Sequence, residues 1–128
     1  MITLSLLKFL EDNNFGEINK DLFFGKLALD KKGLYIVDIG ASNERGQQRS
    51  QTYEIYSRGK SDVDGYKKLQ SVIDFLNDSY EICNLPAVPL VSDKQYDNVT
   101  IMPPSSISNI GQDANGRMIY STTGTIYY

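Results

Sequence analysis

Sixteen carboxylates, one thiol at Cys83 and not a single imidazole are what this 128-residue chain offers to chemistry. Ser-His-Asp and Cys-His nucleophile systems need a histidine the chain lacks. One thiol without an imidazole cannot build a Cys/His zinc site, and it cannot close an internal disulfide. Set in Ile82-Cys83-Asn84-Leu85, Cys83 reads as a small buried hydrophobe rather than a reactive thiol. Carboxylates act as acid and base wherever two converge, but no spacing along this sequence recommends a pair.

Two segments come nearer to known ligand loops and stop short. Gly111 to Met118 (GQDANGRM) has the glycine spacing of a phosphate-binding G-x-x-x-x-G-K-[ST] loop. Arg117 stands where the lysine belongs and Met118 where a hydroxyl would hold magnesium, and a strand rather than a helix is expected to follow. A surface β-turn is the better reading. Lys60 to Gly65 carries Asp62, Asp64 and a glycine in the sixth place, as a calcium loop does. Lys60 and Ser71 occupy its first and twelfth places, so two ligands are missing. Helix capping accounts for these aspartates instead. No catalytic residue, metal or cofactor is expected, and no enzymatic activity.

The elements that position these residues follow from composition and periodicity. Hydrophobic residues make up 41% of the chain and charged residues 23%, a globular balance, and the length suits one domain over 1–128. The net charge of −3 argues against nonspecific nucleic-acid binding, which draws on lysine and arginine. No stretch approaches the ~18 apolar residues of a membrane span. Without a basic leader, no signal peptide is expected, so the sequons at Asn77 and Asn98 should be inert.

Leu6, Leu7 and Leu10 recur at helical spacing behind Thr3 as a cap, and Asn13, Asn14 and Gly16 end the helix. Leu22–Leu29 and Leu34–Ile39 flank Asp30-Lys31-Lys32-Gly33 and predict a β-hairpin. Ala41 to Arg49 predicts a loop: either a solvated connector or an assembly loop that orders on docking, through Glu44, Arg45, Gln47, Gln48 and Arg49. Ser50 to Arg58 alternates as a strand with Tyr53 and Ile55 on one face and Tyr56 and Arg58 on the other. Ser61 caps a helix to about Ser79, with Tyr66, Leu69, Val72, Ile73 and Leu76 as its buried stripe. Leu85–Pro89 predicts an extended crossing segment, and Asn98–Met102 a strand. Ser105–Ile110 predicts a strand or irregular edge. A turn at Gln112–Gly116 and a long last strand from Arg117 complete the chain. The class is α+β, a mostly antiparallel sheet with two helices packed on it. Nine tyrosines favour the sheet, and some favour an interface, where tyrosine adds area at low entropic cost.

In this order the segments resemble a family of small bacteriophage proteins, the minor capsid proteins similar to the tail terminators of long-tailed phages. The N-terminal helix leads into Leu22-Phe23-Phe24, and Tyr53 to Gly59 (YEIYSRG) runs straight into the Ser61 helix. Asn84 to Pro89 (NLPAVP) and Ile110 to Arg117 (IGQDANGR), with an aromatic-rich last strand, complete the match. The resemblance implies a structural protein whose six copies form a ring on the tail tube, at the head-proximal end of the virion tail. That ring stops tube polymerisation and docks to the head-tail connector or stopper protein. Its partners would be itself, the major tail tube protein and the connector, with DNA only as cargo through the lumen and no membrane. Assembly would occur in the host cytoplasm. The exposed face of the Tyr53–Arg58 strand and the last strand would supply subunit contacts, through Tyr53, Tyr56, Arg58, Tyr120, Tyr127 and Tyr128. A head-tail connector or minor capsid subunit is the alternative within virus assembly. A small ligand- or peptide-binding module is the alternative from another class.

Overall fold

The computed structural model describes residues 2–25, 31–43, 49–78, 82–88, 95–102, 104–113 and 115–128. Helix α1 spans Ile2–Asp12 and buries Ile2, Leu6, Leu7 and Leu10. Thr3 lies inside it rather than capping it, and its hydroxyl donates to the Asp38 carboxylate. The helix stops as its asparagines suggest. Asn14 takes a φ of +67°, Asn14 N–H donates to Glu11 O at 3.1 Å and Phe15 N–H to Leu10 O at 3.1 Å, a Schellman closure.

Among the described residues, seven strands follow the alternating and β-branched segments: β1 (Leu22–Phe24), β2 (Gly33–Asn43), β3 (Arg49–Arg58), β4 (Ile82–Leu85), β5 (Tyr96–Ile101), β6 (Ser108–Gln112) and β7 (Met118–Tyr127). Between β3 and β4 runs α2, Asp62–Asp78, with Asp64 N–H donating to the Ser61 hydroxyl at 3.3 Å, as the capping reading predicts. The sheet order is β1-β2-β3-β7-β5-β4, and β6 also pairs with β7. Every pairing of named strands is antiparallel except β1 with β2. The α+β expectation therefore holds.

Three local expectations are corrected. The predicted hairpin is not one, because β1 and β2 run parallel, Leu22 beside Leu34 and Phe24 beside Ile36. Leu34 N–H donates to Asp21 O and Gly25 N–H to Ile36 O, each at 2.9 Å, so both strands start at the same end. Gly33 has a φ of +141°, and a Cβ there would stand 2.2 Å from Asp21 O. The glycine read as a turn is the point where β2 is laid against the residue ahead of β1. The loop expected from Ala41 is also shorter, because Ala41, Ser42 and Asn43 pair with Gln51, Ser50 and Arg49. Finally, β4 forms just ahead of the extended Leu85–Pro89 segment, where no strand was expected, and it is held by pairing with β5.

Leu34 and Ile36 of β2, Tyr53 and Ile55 of β3, Val99 and Ile101 of β5 and Ile126 of β7 line one sheet face. Leu69, Val72, Ile73 and Leu76 of α2 close over β3 and β7, while α1 covers β1, β2 and β4. Each such side chain contributes about 1.5–3 kcal/mol on burial. Tyr66, expected in the α2 stripe, is 46% exposed and makes an edge contact with Tyr120.

Candidate assembly surface

The C-terminal end of β3 meets the β6–β7 turn in a buried polar knot. Arg58 Nε lies 3.0 Å from Asp113 Oδ2, and both side chains are only 2% exposed. Asp113 Oδ1 accepts the backbone N–H groups of Asn115 (2.9 Å) and Arg117 (2.8 Å), and Oδ2 accepts from Arg117 Nε at 3.0 Å. Burial alone would push this carboxyl up. The Arg117 and Asn115 N–H groups and the Arg117 guanidinium outweigh it and hold the carboxyl below the ordinary aspartate range. With its folded value below its unfolded one, the contact stabilises the fold above the ordinary aspartate range. That stabilisation is lost as the pH falls through the lowered value. Met118 N–H donates to Asp62 Oδ1 at 3.1 Å, which ties the first turn of α2 to the same place.

Beside this knot, the start of β2, the end of β3 and the first half of α2 enclose a groove of about 420 Å³. Lys32, Lys60, Lys68 and Arg58 bring four cations to its lining, against two carboxylates, Asp21 and Asp64. Arg58 is engaged by Asp113, and the Lys68 ammonium donates to the Phe15 carbonyl. Lys32 and Lys60 are exposed and make no ion pair among the described residues. Gly59 allows the wall to form, because a Cβ there would stand 2.4 Å from Gly65 N. Ser57 Oγ donates to Gly65 O at 2.8 Å across the same junction.

The sequence candidates separate. Tyr53 is wholly buried, with its hydroxyl where a Cβ of Gly124 would stand, so it has no area for a partner and its assignment to an interface is corrected to the core. Arg58 is corrected likewise, since Asp113 holds it inside. Tyr120 is half-buried beneath Tyr66, their ring centroids 5.6 Å apart and nearly perpendicular. Tyr56 and Tyr127 are half-buried on the sheet face away from the helices. Burial, then Glu54, raises the Tyr56 phenol. Tyr128 is half-buried edge-on against Tyr96, and its backbone exchanges two 2.9 Å hydrogen bonds with Arg49. The last strand is not an exposed edge, because β3 flanks it on one side and β5 and β6 on the other. Glu44, Arg45, Gln47 and Gln48 lie outside the described residues, as does the Cys83 side chain. Arg49 opens β3 and is exposed.

The structure thus adds Asp113, Lys32 and Lys60 to the residues that sequence reasoning singled out. Asp113 was legible as a turn residue by its spacing to Gly116, but nothing nearby announces a buried partner at Arg58. Among the described residues no cluster of three His, Cys, Asp or Glu side chains forms, and no helix is long and apolar enough to cross a membrane.

A family model described as bacteriophage tail terminator protein matches residues 9–128. The chain belongs to that family. Tail terminators are structural proteins, and membership gives this chain a structural role in the phage tail and makes it a component of the virion tail. No curated protein matches the sequence significantly.

Proposed function

We propose that this tail terminator forms a closed ring of six copies at the head-proximal end of the tail tube, stops tube growth there and docks to the connector.

 The match over residues 9–128 carries this reading. Both helices cover one face of the sheet, which leaves Thr52, Glu54, Tyr56, Thr123, Thr125 and Tyr127 half-exposed on the other. Such a mixed aromatic and hydroxyl surface suits contacts with other protein subunits. The segment between β2 and β3, with Glu44, Arg45, Gln47 and Gln48, is the one we assign to docking on the tube protein.

Six copies at −3 each bring −18 formal charges to the ring. A lumen that shares in that charge repels DNA and lets it slide as cargo, whereas a basic lumen would grip it through counterion release. The experiment is to add the purified chain to polymerising tail tubes and measure tube lengths by electron microscopy. Tubes that stop growing and carry a ring at one end are expected. Tubes that grow on at the same rate, without an end structure, overturn the reading.

A further inference from the structure

The groove beside Arg58 and the far end of α2 are opposite in charge and lie at opposite ends of one helix. Asp64 lines the groove, while Asp74 and Asp78 stand ~15 and ~21 Å further along the helix axis at 1.5 Å per residue. Both are exposed, and the last turn of α2 holds no basic residue. Carboxylates at a helix C-terminus oppose the helix dipole, so this end is better matched by cations from outside. Neither aspartate makes an ion pair among the described residues, although Gln70 donates to Asp74 Oδ1 at 2.9 Å. At the other end, Lys32 and Lys60 point the opposite need: two exposed ammonium groups on a groove whose other cations, Arg58 and Lys68, already have internal partners. Val63, 59% exposed, and Tyr66 add apolar surface on the first turns of the same helix.

We propose that the groove receives the acidic C-terminal turn of α2 from a second copy of this chain, Asp74 and Asp78 meeting Lys32 and Lys60. The proposal rests on the ring reading above and names the contact that builds the ring. Two different patches of one subunit meet, so the contact is heterologous and propagates head to tail until it closes. Charge complementarity sets its register and makes its assembly sensitive to salt.

The test is a charge swap. Lys32→Glu/Lys60→Glu and Asp74→Lys/Asp78→Lys are prepared separately, and their masses are followed by light scattering over a concentration series. Unchanged circular dichroism melting shows that each is folded. Each variant alone should need ~10-fold or more higher concentration to assemble than the parent, because like charges now face each other. An equimolar mixture should assemble as the parent does, since every contact in an alternating ring again joins opposite charges. Carbodiimide cross-linking of the parent should join Lys60 or Lys32 to Asp74 or Asp78. The length of α2 keeps Lys60 from reaching either aspartate within one chain, so that link must run between copies.

Variants that assemble like the parent, or a mixture that fails to recover, overturn this contact while leaving the ring reading standing. Groove variants that form normal rings but no longer cap tubes assign the groove to the tube protein and also overturn it. A parent that stays monomeric both alone and on tube ends overturns the ring reading, and this contact with it.

Discussion

Two arginines bracket β3 and live in opposite surroundings. Arg49 opens the strand and is exposed. Arg58 closes it, buried against Asp113. Nine residues apart on one strand, they look alike in sequence: a guanidinium next to polar neighbours at the end of an alternating run. What distinguishes them is a carboxylate 55 positions downstream, brought in when β7 pairs along β3 from Ser50–Tyr127 to Ser57–Tyr120. A charged residue's role in this sheet is set by its cross-strand neighbourhood.

The sharpest way to test that contrast is Arg58→Met. It keeps much of the side-chain volume but takes the Arg58 guanidinium from the buried Asp113 carboxylate, and it should destabilise the fold by about 3 kcal/mol in denaturant titrations. A loss below ~1 kcal/mol would mean that the two arginines are energetically alike. Between them on the same strand, Tyr53→Phe should act in the other direction. The Tyr53 hydroxyl is buried without a hydrogen-bond partner among the described residues, and burial raises its phenol. Removing that hydroxyl should leave stability unchanged or raise it by up to ~1 kcal/mol, read as a higher melting temperature. A clear loss would point to a partner for the hydroxyl. The smallest effect belongs to Arg49→Ala, which should change stability by less than ~0.5 kcal/mol, as surface substitutions do. A larger loss would show that the exposed end of β3 is held as tightly as the buried one.

What could be read in advance divides along the same line. The α2 stripe at Leu69, Val72, Ile73 and Leu76, its Ser61 cap and the Asn14 stop of α1 are local patterns, and all are present. The alternation of β3 was legible too, and it placed Tyr53 on the same face as Ile55. Treating Tyr53 as an interface residue went against that pattern, and the core position follows it. The parallel pairing of β1 with β2 was not legible, because two extended segments around a glycine look the same whichever way they pair. The β4 strand was hidden by the prolines that follow Leu85, since its pairing comes from β5 rather than from its own sequence. The groove was invisible for a further reason. Lys32 lies just before β2, Lys60 between β3 and α2 and Lys68 on α2, and they are gathered by the pairing of Gly33 with Arg58 and the close approach of Gly59 to Gly65.

The place of β7 has a consequence for how the protein is made. The strand that lies between β3 and β5 comes after all six other named strands in chain order. Until its residues are available, the first three strands and the β4–β5 pair have no common neighbour. Their shared core under α2 has nothing to close on, because the pairings that join them span much of the chain. The sheet therefore closes only once β7 is in place, so it forms as one unit rather than strand by strand from its N-terminal side.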